Sequence, residues 1–203
     1  MNGYECWNIN GHTLEYLDDI HQYIVDGVCV PSVTQILKVK FGNKYSAVDA
    51  ETLNKAAEAG TAVHLAIENY CKNGAESDLP ELRNFKFLKK QYEFEVLKNE
   101  VPVILFGITQ PICAGRLDMV LTSKEGLTIA DIKRTAALDK NYLAFQLNMY
   151  AIAYQQCYGG KVESLRGIHL RGETRKFVSI PMNEKKVWDL VDEYWKGEEH
   201  GDL

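Results

Sequence analysis

The sequence has little of what would set it apart from an ordinary folded domain. No apolar run is long enough to cross a bilayer: the longest, around residues 101–108, falls far short of the ~20 residues a spanning helix needs. The start of the chain lacks the basic-then-apolar pattern of a secretory signal, so a cytoplasmic protein with no membrane association is expected. Five cysteines, Cys6, Cys29, Cys71, Cys113 and Cys157, are scattered without a C-x-x-C pair, which argues against a disulfide framework and a zinc site. Small core or boundary roles are expected for them. Positive charge is also short: 23 Lys and Arg against 28 Asp and Glu leave a net charge of −5. That balance excludes a protein that coats nucleic acid generally, and any such contact has to come from local patches.

What remains, 203 residues with 46% hydrophobic and 25% charged, suits one well-buried domain and is short for two. No internal repeat, low-complexity tract or linker divides it. Residues 12–30 alternate polar and apolar about Asp26-Gly27, predicting a β-hairpin. Ser32 with Gln35 forms a capping box that starts a short helix, so residues 1–40 make a hairpin-and-helix appendage to the core. Helices are predicted over residues 48–72, with Gly60 marking close packing or a break, and over residues 81–99. Strands follow at 101–106, 112–121 and 127–133, then a helix over 140–158 ended by Gly159-Gly160. Strands at 162–170 and 175–180 complete a core of residues 48–180. A closing helix begins near Asn183, and with a tail it fills residues 183–203. Two basic groups, Arg83, Lys86, Lys89 and Lys90, then Arg166, Arg171, Arg175 and Lys176, read either as phosphate contacts or as solvated faces.

Chemistry concentrates on the middle strands. With Thr122 facing Leu127 across a tight turn, counting back along the antiparallel ladder sets Asp118 opposite Asp131. Facing side chains lie ~4.5–5.5 Å apart at Cβ, close enough to share a cation. Period-2 alternation puts Lys133 on the face of Asp131. Two carboxylates and an ammonium together are costly to bury without a metal ion or a substrate phosphate.

Asp118, Asp131-Ile132-Lys133, the upstream Gly60-Thr61-Ala62-Val63-His64 and the downstream Gln146-x-x-x-Tyr150 occur in the order and element context of a known family. The chain resembles the PD-(D/E)XK nuclease superfamily, in its RecB-like branch, over residues 60–150. Tyr23, Gly27 and Pro31-Ser32-Val33-Thr34 are further similar to small phage and prophage nucleases of that branch. The resemblance implies an α/β fold with a restriction-endonuclease-like core: a mixed central sheet flanked by helices, carrying the N-terminal β-hairpin. It implies Mg²⁺ or Mn²⁺ held by His64, Asp118, Asp131 and the Ile132 carbonyl, with hard oxygen donors suiting Mg²⁺ and the imidazole favouring Mn²⁺. Lys133, its pKa expected to be lowered, would orient or deprotonate the attacking water. Gln146 and Tyr150 would position Lys133 or a phosphate, or Tyr150 packs in the core.

Glu68, one turn from His64, either orients the imidazole or is an exposed helix carboxylate. Arg116 and Arg134 either contact phosphate or balance the acids. Glu100 is a lesser candidate outside the metal set. No iron–sulfur cluster is expected, since the cysteines that hold one in related adaptation nucleases have no counterpart after Cys157. The implied activity is phosphodiester hydrolysis of DNA at an end or on a single strand, as an exonuclease of a phage recombination or repair system. A separate strand-annealing partner would accompany it. A structure-specific or single-strand endonuclease, and a non-catalytic nucleic-acid-binding module, remain the alternatives.

Overall fold

The computed structural model describes residues 3–42 and 48–200, the last three of these by backbone only; the tail expected over 201–203 lies outside them. The N-terminal element is larger than a hairpin. Strands β1 (Tyr4–Ile9), β2 (His12–Leu17), β3 (Gln22–Val25) and β4 (Val28–Val30) form a four-stranded antiparallel meander. Asn10-Gly11 and Asp26-Gly27 both have positive φ at both positions, the twist that two-residue hairpin turns demand. The first of these turns pairs β1 with β2, a strand that alternation over residues 12–30 alone does not reveal.

Helix α1 (Val33–Phe41) starts at the capping box formed by Ser32 and Gln35. Pro31 accepts from the Ala114 amide and Ser32 bridges Ala114, tying this corner to the main sheet. Leu14, Val25 and Ile36 share one buried cluster with Val103, Leu117 and Leu147, so the N-terminal unit is part of the core and not an appendage. Of the cysteines, Cys113 and Cys157 are buried, whereas Cys6 and Cys29 are exposed on the N-terminal strands.

Helix α2 (Ala50–Asn73) begins at Asp49, whose carboxylate accepts from the Thr52 amide, and runs unbroken through Gly60. Helix α3 (Pro80–Tyr92) is shorter than its sequence suggests. Glu93 turns left-handed and closes it, and the following Phe94 is buried, stacked on Phe177 with centroids 5.1 Å apart. Helix-favouring residues at 95–99 are therefore drawn into strand β5 (Glu95–Phe106), tertiary packing overriding local propensity.

β5 pairs antiparallel with β6 (Pro111–Ser123), which pairs antiparallel with β7 (Gly126–Lys133). Helix α4 (Lys140–Tyr158) crosses over to β8 (Ser164–Arg171), parallel to β7, and β9 (Thr174–Ile180) completes a five-stranded mixed sheet in order β5 to β9. Helix α5 (Glu184–His200) follows, with Asn183 accepting from the Lys186 amide as its cap. One buried cluster packs α1, α4 and α5 with the N-terminal strands, and a second packs α2 and α3 on Met119, Ala130, Ile132 and Ile168. No described helix is long and apolar enough to cross a membrane.

One glycine is set by this packing. A Cβ on Gly115 would stand 3.0 Å from Tyr150 Cε1 and 3.3 Å from Val33 Cγ2. Gly115→Ala is expected to destabilise the fold by about 1–3 kcal/mol through overpacking, read as a lowered midpoint of urea denaturation.

Candidate metal centre

The β6–β7 register pairs Thr122 with Leu127 and continues to Met119 with Ala130, so the next position sets Asp118 across from Asp131, as the count along the ladder predicts. On the other side, β5 pairs Asn99 with Met119 and Val101 with Leu117, which sets Glu100 across from Asp118. Three neighbouring strands thus contribute one carboxylate each, in a row across the sheet. Glu100 has φ of 49°, an uncommon left-handed conformation inside a strand.

His64 comes from α2. Its Nε2 lies 3.2 Å from the Ile132 carbonyl oxygen, while Nδ1 is 3.6 Å from Asp118 Oδ2 and 3.9 Å from Glu100 Oε1. Donation from Nε2–H to that carbonyl fixes the neutral tautomer and leaves the Nδ1 lone pair facing the carboxylates, as in metal-binding imidazoles. One ligand atom each from His64, Glu100 and Asp118 fall within 4.8 Å of one another, a span that an ion with ligands at ~2.0–2.6 Å can bridge.

Asp131 sits beneath this group, 1% exposed, with Oδ2 2.5 Å from Lys133 Nζ and Oδ1 without a hydrogen-bond partner. A buried unpartnered carboxylate oxygen is expensive, and it fits a site whose donors serve a cation. The Ile132 amide donates to Asp118 Oδ2 at 2.7 Å, fixing that carboxylate. Gln146 and Tyr150 are both buried on α4, and Gln146 has no partner for its Oε1.

Electrostatics follow from burial and crowding. Burial and then Asp118 push Asp131 up to about 6. Burial pulls His64 down, but Asp118, Glu100 and Asp131 outweigh it and raise it from 6.5 to about 9. For Lys133 burial likewise lowers the pKa, yet Asp131 and Asp118 prevail and hold it raised, the reverse of the lowered value expected from sequence.

The remaining candidates separate. Arg116 pairs with Glu5 at 2.9 Å and reaches Glu100 at 3.9 Å, with its guanidinium over the rings of Trp7 and Tyr16. Arg134 is held by the buried Glu81 at 3.0 Å, and Glu68 pairs with Lys72 instead of orienting His64. Among the basic groups, Lys86 bonds Glu76, Lys89 bonds Glu95, Arg166 bonds Glu125, and Arg175 lies over the Phe87 ring. Glu100 is the residue the sequence undervalued: it stands before the apolar run of its strand, and only the pairing of β5 with β6 brings it to Asp118.

No protein-family model matches the chain, and no curated protein matches it by sequence. Among solved structures, the chain is similar to one described as the crystal structure of SSO0001, at 16% identity and a TM-score of 0.47, covering 81% of this chain and 74% of that one. At that TM-score the likeness carries no weight for family or function.

Glycine readily adopts the backbone that Glu100 holds at a cost of ~1–2 kcal/mol. Glu100→Gly is therefore expected to keep or raise the urea midpoint while weakening Mn²⁺ binding by at least about tenfold in a calorimetric titration. A second outcome concerns pH. Because the folded chain holds the His64 proton more tightly than the unfolded chain, this stabilisation is complete below 6.5 and is lost as pH rises through about 9. In chelator, the melting temperature should fall over that window more in the native chain than in His64→Gln. Mn²⁺ affinity should rise over the same window, since Nδ1 binds metal only when unprotonated.

Proposed function

We propose that the protein is a Mg²⁺- or Mn²⁺-dependent nuclease that hydrolyses DNA phosphodiester bonds. The observation that carries this reading is the row of Glu100, Asp118 and Asp131 across three adjacent strands, with His64 beside Glu100 and Asp118 and the half-buried Lys133 paired with Asp131. The motif resemblance supports the same chemistry and favours an exonuclease acting at DNA ends in phage recombination or repair, with a separate strand-annealing partner.

Glu100, Asp118 and His64 would hold the ion, with Asp131 behind Asp118 adding negative charge and a free oxygen. When bound, a divalent cation at such a site supplies positive charge against the phosphate oxygens and makes water more acidic. The chain's own groups do the rest. The Ile132 amide keeps Asp118 from rotating, and the Ile132 carbonyl keeps the His64 ring in its ligating tautomer. Lys133, tethered by Asp131, places an ammonium where negative charge grows on the phosphorane, the kind of pre-aimed charge that lowers such barriers most. Gln146 and Tyr150, both buried, close the helix side of the site and keep bulk water from the buried Asp131.

The test is a time course with end-labelled linear and covalently closed circular DNA, single- and double-stranded, in Mg²⁺, Mn²⁺ or EDTA. Metal-dependent loss of linear DNA alone is the expected result, and cutting of circles would make the enzyme an endonuclease. Asp118→Ala, Asp131→Ala and Lys133→Ala are expected to abolish cleavage while retaining the native circular dichroism spectrum. Full activity in any of the three would overturn the site assignment, and inertness of the native chain on every substrate would overturn the enzyme reading.

A further inference from the structure

The β6–β7 pairing ends at Met119 and Ala130, so Asp131, Ile132 and Lys133, the last residues of β7, pair with β8 alone. A strand end held on one side has lost half of the backbone bonding that would fix the direction of its last side chain. Lys133 is that side chain, and its flexible four-carbon stem adds to the freedom of the ammonium. Two side chains from elsewhere in the fold supply what the missing neighbour does not. Glu81 of α3 accepts from Arg134 Nε at 3.0 Å and from the Gly172 amide at 3.0 Å. His169 of β8 lies beside Lys133 in the parallel register, and its Nε2 is 2.7 Å from the Thr135 carbonyl oxygen. A carbonyl only accepts, so Nε2 carries the proton. The two residues that follow Lys133 are therefore each tied to a different element.

Both anchors are costly where they stand. Glu81 is 2% exposed and His169 4%. Burial pushes the Glu81 carboxyl up, but the Gly172 amide, its own amide and Arg134 outweigh it and hold it below the usual carboxylate range. Glu81 is itself kept in place, because α3 grips the same hairpin turn a second time, Asn84 Nδ2 donating to the Gly172 carbonyl at 2.7 Å. His169 Nδ1 is buried without a hydrogen-bond partner. A side chain that served only to fill the core would do better as leucine, which leaves no polar atom unpaired. What histidine supplies there and leucine cannot is the bond to Thr135.

We infer that Glu81 and His169 are positioning residues, which clamp the chain just beyond Lys133 and so hold its ammonium against Asp131. The Lys133 Nζ to Asp131 Oδ2 distance of 2.5 Å is the contact they maintain. The inference rests on the nuclease reading only for what the aimed ammonium does to a substrate. Neither residue belongs to the group of His64, Glu100 and Asp118 that could hold an ion, so losing either should leave metal affinity as it was. The rate is another matter, since a displacement of about 1 Å in a group aimed at a transition state can cost ~10²-fold.

The experiment compares the native chain with His169→Leu, His169→Gln and Glu81→Gln. Acetylation of Lys133 by an N-hydroxysuccinimide ester is followed by mass spectrometry at fixed pH in chelator. Lys89, 28% exposed and paired with Glu95, is the internal control, since a variant that merely loosens the fold would raise its labelling as well. Lys133 should react at least about threefold faster in His169→Leu and Glu81→Gln, the factor that one lost hydrogen bond allows, with Lys89 labelling and Mn²⁺ affinity unchanged. Glutamine at 169 can donate from about the same place as Nε2 and should restore the native rate. In cleavage, kcat should fall at least about tenfold in the first two variants and recover in His169→Gln, with KM for DNA unchanged. Native labelling or native kcat in both His169→Leu and Glu81→Gln would overturn the inference, as would a His169→Gln chain that behaves like His169→Leu. A native chain that cuts no DNA would overturn the nuclease reading instead, and Lys133 labelling would then decide the clamp alone.

Discussion

Like-charge repulsion among Glu100, Asp118 and Asp131 is the constraint around which the rest of the molecule is arranged. Three carboxylates on adjacent strands cannot stay ionised together in a sheet without nearby compensation. Each receives a different kind. Asp131, the most buried, has the ammonium of Lys133 two residues along its own strand. Asp118 has a backbone amide and the edge of an imidazole. Glu100 has the Arg116 guanidinium and His64. The compensation is partial, as the raised Asp131 and the strongly raised His64 record. A divalent cation would complete it.

This explains why the N-terminal meander is joined to the core. Arg116 could not lie close to Glu100 unless something outside the sheet held it there, and that something is Glu5 of β1 with the faces of Trp7 and Tyr16. Cation–π contact and ion pairing hold the guanidinium from the far side, so the first strands of the chain set the charge environment of a residue in the fifth.

Much of this was legible in the sequence because its signals are local. The Ser32 capping box, the tight turn between β6 and β7, and period-2 alternation each act over a few residues, and from them the opposition of Asp118 and Asp131 and the facing of Lys133 follow. What stayed hidden depends on distant partners. Residues 95–99 look helical until Phe94 is known to stack on Phe177. Glu100 is unremarkable until β5 pairs with β6. Whether Arg116 and Arg134 contact phosphate or balance acids stays open in the sequence, because Glu5 and Glu81, which pair with them, lie far away in the chain. Gly60 reads as close packing or a break, and only the assembled fold shows a continuous helix with open space beside it.

The meander from β5 to β7 is one uninterrupted stretch of chain whose three strands pair with their sequence neighbours. Contacts between near neighbours in sequence close with the least loss of loop entropy and so belong to the early events of folding. The three acids are therefore gathered before His64 on α2 need dock, and the repulsion is met on the way to the native state as well as in it. Folding speed, and not only final stability, becomes sensitive to whatever neutralises those charges while the first hairpins form.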